Sequence, residues 1–130
     1  MASPPFRLDP SSGVPFYRQV IDQVLLAVAD GRLKPGAQLP TVRALAVELS
    51  VNLNTIARAY REMEIRGIVE TQQGTGTFVS ARRPERKAAD RRRALERLVD
   101  QFLTTAASQG FTTDEFAEAL LAKTEDAGRR

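Results

Sequence analysis

Apolar positions along the chain change their period, and the changes divide it into elements. Phe16, Val20, Val24, Ala27 and Val28 recur at three- and four-residue steps, with Ile21 and Leu25 widening the stripe. That is the pattern of an amphipathic helix. Pro15 suits its first turn, where a missing N–H costs nothing, and Gly31 suits its end near Asp30. Pro35-Gly36 then marks a turn, and Pro40 keeps Leu39 extended. Thr41 can cap a short second helix, Val42 to Leu49, with Val42, Leu45, Ala46 and Leu49 on one face. Ser50-Val51-Asn52 is a short turn of the kind that joins two helices. A third helix is predicted from Leu53 to Arg66, with Ile56, Ala59, Tyr60 and Met63 inward and the Tyr60 hydroxyl at the surface. Gly67 followed by apolar Ile68 matches a Schellman stop.

The pattern then turns β-like. Ile68, Val69 and Thr71 favour one strand, and Thr77, Phe78 and Val79 a second. Gln73-Gly74-Thr75-Gly76 forms the hairpin tip, with two glycines able to take positive φ. Helical spacing returns in Leu95, Leu98, Val99, Phe102, Leu103 and Ala106, until Gly110 breaks it. Thr112-x-x-Glu115 reads as a capping box opening a last helix that carries Phe116, Ala119, Leu120 and Lys123. These last helices are expected over 85–108 and 112–126, with Gly128-Arg129-Arg130 frayed. The predicted fold is mostly α with a small β-hairpin. A winged helix-turn-helix domain over 1–81 precedes a two-helix C-terminal region over 82–130.

Composition narrows the chemistry. Cysteine and histidine are both absent, which removes disulfides, thiolate metal sites, the commonest general base and the commonest transition-metal ligand. No phosphate-loop or dinucleotide fingerprint occurs, and Gly74-x-Gly76 lies between strands instead of opening a helix. The chain is therefore expected to be no enzyme and to need no metal or cofactor. Its first ten residues lack the apolar core of a secretory signal. The longest apolar run, Val24 to Ala29, falls far short of the ~20 residues that span a bilayer. A cytoplasmic protein without a membrane partner is expected.

Charge adds a location. The formal net charge is +3, and it is unevenly spread. From Arg82 to Arg93, seven Lys/Arg stand against Glu85 and Asp90, a net of +5, whereas Ala94 to the end carries a net of −3. The basic cluster either tracks phosphates or is the solvated start of a helix.

Two helices joined by a tight turn and followed by a hairpin have a direct use on double-stranded DNA. A helix fits the major groove, its first residues meet base edges, and the preceding helix crosses the backbone. LSVNLNTIARAY, Leu49 to Tyr60, is then the turn and the start of the recognition helix. Asn52 sits where an N-cap belongs, so cap or phosphate contact competes with base reading. Asn54, one position into the helix, can pair bidentately with adenine or bind a phosphate. Thr55 can donate to a phosphate or cap locally. Arg58 can meet a phosphate or pair with Glu62.

Gly31 to Ser80 resembles the DNA-binding domain of GntR-family transcriptional regulators. The resemblance is carried by Leu33-x-Pro35-Gly36, Leu39-Pro40-Thr41-x-Arg43-x-Leu45-Ala46, Asn54-Thr55-x-x-x-Ala59-Tyr60, Gly67 and Gly74-x-Gly76-Thr77-Phe78-Val79. The short helical tail and Asn52-x-Asn54-Thr55-x-Ala57-Arg58-Ala59-Tyr60-Arg61 are similar to the YtrA-like subfamily. Leu53 departs from the pattern, standing where many GntR proteins carry arginine, so base reading at that position does not transfer.

The resemblance implies that Arg43 reaches DNA, often at a guanine edge, and that the tip Gly74, Thr75 and Gly76 approaches the minor groove. The expected DNA contacts are thus Thr41, Arg43, Asn52, Asn54, Thr55, Arg58 and that tip. It also implies that the tail serves dimerisation. Leu95, Leu98, Val99, Phe102, Leu103, Phe116 and Leu120 form an apolar surface that two isolated helices cannot bury, so it meets a second copy or the chain's own winged domain. The expected function is a repressor that binds an inverted repeat as a homodimer. Its effector, if it has one, is unidentified by sequence. The alternative is a winged-helix protein-interaction module without specific DNA binding. An apolar patch in place of Arg43, Asn54, Arg58 and Arg61 would have favoured that alternative.

Overall fold

The computed structural model describes residues 6–81 and 87–128. Five helices and one hairpin follow in order: α1 (Phe16–Ala29), α2 (Val42–Leu49), α3 (Leu53–Ile65), β1 (Val69–Gln72), β2 (Gly76–Val79), α4 (Ala88–Ser108) and α5 (Thr113–Gly128). They form two compact units, Met1–Arg83 and Pro84–Arg130. The first is a winged helix-turn-helix. The expected start of the fourth helix near 85, the arginines at 82, 83 and 86 of the basic cluster, and Arg129 and Arg130 lie outside the described residues.

The core of the first unit forms where the apolar stripes meet. Val20, Ile21, Val24 and Ala27 of α1 pack with Leu45 of α2 and with Ile56, Ala59 and Met63 of α3, and Leu33, Leu39, Val69 and Val79 close the cluster. α1 and α2 both pack on α3, and α3 packs on β1. Pro15 stands one place earlier than predicted: it is the N-cap of α1, and its carbonyl accepts from the amides of Arg18 and Gln19. α3 stops at Ile65 by the predicted device. Gly67 takes φ 74, its N–H reaches the Glu64 carbonyl, and the Ile68 N–H reaches the Met63 carbonyl.

Three features correct the sequence reading. The Tyr60 hydroxyl is not at the surface. It is buried and donates to the Pro40 carbonyl at 2.6 Å. Burial, helped by the Glu48 charge, pushes its ionisation far above the usual tyrosine range, so it remains a donor. Gly76 is not in the hairpin tip but pairs with Gln72 as the first residue of β2. Finally, β2 has a neighbour on its other side. The Gly36 N–H meets the Val79 carbonyl, the Val79 N–H meets the Ala37 carbonyl, and the Leu39 N–H meets the Thr77 carbonyl.

An ordered arm precedes α1. Phe6 and Leu8 pack on the core, while two glutamines one helical turn apart hold the backbone between them. The Gln23 side chain accepts from the Arg7 N–H and donates to the Arg7 carbonyl, and Gln19 does the same for Asp9. The spacings agree: four helical residues rise ~6.0 Å, and two extended residues span ~6.6 Å. Gln19 is 8% exposed and also donates to Ser12 Oγ and the Val14 carbonyl.

The second unit is an α4–α5 hairpin. Its turn uses the same stop as α3, with Gly110 N–H to the Ala107 carbonyl and Phe111 N–H to the Ala106 carbonyl. The capping box forms in full. The Thr112 hydroxyl accepts from the Glu115 N–H and the Glu115 carboxylate accepts from the Thr112 N–H, which holds that carboxyl below its usual range.

Gln19→Ala is expected to lower stability by about 2 kcal/mol, because it strands a cluster of half-buried backbone groups. Gln23→Ala, at an exposed pair, is expected to cost less than about 1 kcal/mol. Urea unfolding midpoints of the two variants check the ranking.

Candidate nucleic-acid interface

α3 has one fully buried face and one open face, and the division follows its sequence. Ile56, Ala59, Tyr60 and Met63 are buried; Asn54, Arg58 and Arg61 lie on the open side. The open face carries side chains that the fold itself does not use. Among the described residues, Asn54 and Arg61 make no side-chain hydrogen bond or ion pair, and neither does Arg43 on the first turn of α2.

Asn52 and Asn54 separate here. The Asn52 side-chain oxygen accepts from the Asn54 N–H at 2.8 Å, which makes Asn52 the N-cap of α3. Bidentate pairing with adenine needs the amide oxygen and nitrogen together. Asn52 has already committed its oxygen, whereas Asn54 has both ends free. Thr41 combines two capacities. Its hydroxyl oxygen accepts from the Ala44 N–H at 3.0 Å as the cap of α2, and its hydroxyl hydrogen remains available for a phosphate.

Arg58 does not pair with Glu62. Its guanidinium lies 3.9 Å from the centre of the Tyr17 ring, on α1. Stacking occupies the face of the guanidinium and leaves its in-plane N–H donors free. Tyr17, Pro15 and Phe16 from the start of α1, with Asn54, Thr55 and Arg58 from α3, line an open pocket of about 350 Å³. Tyr17 was missed by sequence reasoning. It lies beside the apolar stripe of α1, and its partner is 41 positions away with no periodic relation to it.

The electrostatics of the helix ends agree with an anionic partner. α1, α2 and α3 have no acidic residue in their first turns, whereas α4 has Asp90 and α5 has Asp114 and Glu115. The positive dipole ends of the three winged-domain helices thus face no first-turn carboxylate, a disposition that favours phosphate.

The hairpin presents Gln72, Gln73, Gly74 and Thr75 exposed at its tip, with Gly74 at φ 78. In the second unit, Leu95, Leu98, Val99, Phe102 and Leu120 are 48–61% exposed, and Leu103 and Phe116 are half-buried. Phe102 and Phe116 stack with ring centres 6.4 Å apart, which joins α4 to α5. Phe111 and Leu121 are also exposed, outside the residues that the helical spacing had singled out. Among the described residues no helix is long and apolar enough to cross a membrane, and no acidic cluster could hold a metal.

Comparison with known proteins points the same way. The family described as bacterial regulatory proteins, gntR family, matches residues 16–79. The chain is similar to the HTH-type transcriptional regulator YhcF of Bacillus subtilis, 37% identical over 88% of this chain and 93% of that one. It is also similar to the HTH-type transcriptional repressor YtrA of the same organism, 45% identical over 74 residues; that match spans only 57% of YtrA. Among solved structures, YtrA from Sulfolobus acidocaldarius, a GntR-family transcription factor, superposes with a TM-score of 0.59 at 30% identity, covering 76% of this chain and 97% of that one. The AraR DNA-binding domain in complex with its operator superposes with a TM-score of 0.51 at 29% identity, covering 57% of this chain and 92% of that one.

The two asparagines are expected to part in their effect on folding. Asn52→Ala removes a cap and is expected to cost about 1 kcal/mol. Asn54→Ala is expected to leave stability within about 0.5 kcal/mol, as an exposed side chain without partners does. Thermal melts of both variants without DNA test the difference.

Proposed function

Given that this chain belongs to the gntR family of bacterial regulatory proteins, we propose that it is a sequence-specific transcriptional repressor that binds an inverted-repeat operator as a homodimer. In this reading α3 enters the major groove, the hairpin lies near the minor groove, and the α4–α5 unit supplies the dimer contact. The observation that carries it is the open face of α3, where Asn54 has a wholly free amide beside an Arg58 already oriented by Tyr17. A repressor role is supported by the name of the relative YtrA, and operator binding by the AraR domain complex. Such a protein acts in the cytoplasm and needs no cofactor.

The roles divide by chemistry. Arg43 and Asn54 read base edges, guanine and adenine respectively. Thr41, Thr55 and Arg58 hold phosphates and set the register. Asn52 serves as cap and places its neighbour. Gly74 and Thr75 form the wing tip, and Gly76 opens β2 beside it. Phosphate contacts supply most of the affinity and a steep salt dependence. Two-fold symmetry spaces the half-sites by about one helical turn.

Selection from random duplex DNA at moderate salt is expected to return a palindrome. Arg43→Ala or Asn54→Ala is expected to relax preference at one symmetric base pair, by about ten- to one-hundred-fold per half-site pair. Arg58→Ala is expected instead to weaken all sequences alike and to flatten the salt slope by about 0.9 for each phosphate no longer neutralised. If no sequence is enriched, the specific-regulator reading fails.

Leu98→Glu places a charge in the middle of the exposed apolar stripe of α4 and spares the Phe102–Phe116 stack. It is expected to shift the protein from dimer to monomer in sedimentation equilibrium and to abolish cooperative binding to the palindrome. An unchanged mass would remove this face from the interface.

A further inference from the structure

The wing tip is tied to the segment that precedes α2 by one side chain. Gly36 to Leu39 runs antiparallel to β2, with Gln38 opposite Phe78. From there the Gln38 amide reaches along the hairpin and donates to the Thr75 carbonyl at 3.0 Å. A second feature is fitted to this reach. A Cβ added at Gly76 would lie 2.6 Å from the Gln38 amide nitrogen, so the space of a side chain at 76 is taken by Gln38. Gly74, at φ 78, has open space around it and serves the turn. Gly74 therefore bends the chain, whereas Gly76, at φ 139, takes a backbone angle that L side chains rarely adopt and also leaves the room that Gln38 fills.

The tip needs such a tie. The turn of the hairpin is closed by the Thr75 N–H donating to the Gln72 carbonyl, and the strands are four residues each. Hairpins of that size are marginal alone. The backbone bonds from Gly36 and Leu39 fix β2 at Val79 and Thr77, away from the tip. Gln38 carries that support out to Thr75.

We propose that Gln38 is the positioning residue that sets the wing tip in the DNA-free protein, acting through the Thr75 carbonyl and the clearance at Gly76. The consequence for DNA rests on the reading that the wing meets the minor groove. The tip then arrives already ordered, and its ordering entropy is not lost at binding. Gln38 itself needs no contact with DNA.

The test uses the full chain with Gln38→Ala, Gln38→Glu, Gly76→Ala and the double variant Gln38→Ala/Gly76→Ala. Glutamate keeps the length but offers only acceptors at neutral pH. Backbone ¹⁵N relaxation without DNA is expected to show Gly74 and Thr75 falling from rigid order parameters near about 0.85 towards about 0.6 in both Gln38 variants. Thr77 and Val79 are expected to stay rigid. Affinity for the selected operator is expected to fall roughly five-fold, the worth of one hydrogen bond. The double variant is expected to lose no more than the worse single one. An unchanged tip in Gln38→Ala overturns the proposal, and so does full additivity of the two substitutions, which would assign Gln38 a contact of its own. Lost tip order with unchanged operator affinity upholds the lock and removes the wing from the DNA interface.

Discussion

The stretch from Gly36 to Thr41 is the constraint on which the winged domain depends, because its backbone meets three elements within six residues. Gly36, Ala37 and Leu39 bond to β2, the Pro40 carbonyl receives the buried Tyr60 hydroxyl of α3, and Thr41 caps α2. Pro40 has no N–H to satisfy, so its carbonyl is the one backbone group there that needs a partner. Burial keeps the Tyr60 hydroxyl protonated, and the bond does not weaken across ordinary pH. The segment thereby fixes α3, α2 and the hairpin against one another. A DNA reader requires this fixity, since base contacts tolerate little misplacement.

Within that frame, what α3 offers to DNA is defined by what the fold leaves unused. Tyr60 could have supplied a hydroxyl to the surface, but the fold consumes it. Asn52 gives its oxygen to the helix start. Asn54, two positions later, gives nothing, and Arg58 gives only the face of its guanidinium. On the proposed reading, binding through Asn54 and Arg58 therefore does not have to break internal hydrogen bonds before new ones form. The absence of carboxylates from the first turns of α1, α2 and α3 extends the same logic from side chains to helix dipoles.

Features written in local sequence were legible, and those made by distant pairs were not. The bounds of α2, the glycine stop of α3, the capping box at Thr112 and the hairpin strands each depend on residues within a few positions of one another. By contrast, the glutamine clasp of the arm pairs Arg7 with Gln23, the Arg58 stack needs Tyr17, and the wing tie joins Gln38 to Thr75. Each joins residues far apart in sequence, and nothing local distinguishes them from solvated side chains. The Tyr60 hydroxyl belongs to the same class: helical spacing placed its ring inward, but only the path of Pro40 decides where the hydroxyl ends. The candidate site was accordingly legible in its α3 members and not in the α1 residues beside them.

The tail has to be read through energy as well as geometry. Among the described residues of the α4–α5 unit only Ala106 is buried, so the hairpin has no core of its own to stabilise it. Leu95 and Phe102 stand one heptad apart on α4 with Leu98 and Val99 between them, the spacing of a helix seam awaiting a partner helix. On the proposed reading, specificity asks for the same partner. One good base pairing is worth about 1–3 kcal/mol, so Arg43 and Asn54 together supply about 2–6 kcal/mol in one domain. Specific binding typically needs about 4–10 kcal/mol over non-specific DNA. A single winged domain reaches at most the lower part of that range, and two domains held on a palindrome reach through it. The surface that leaves the tail unstable alone is then the surface that makes two weak readers into one selective one.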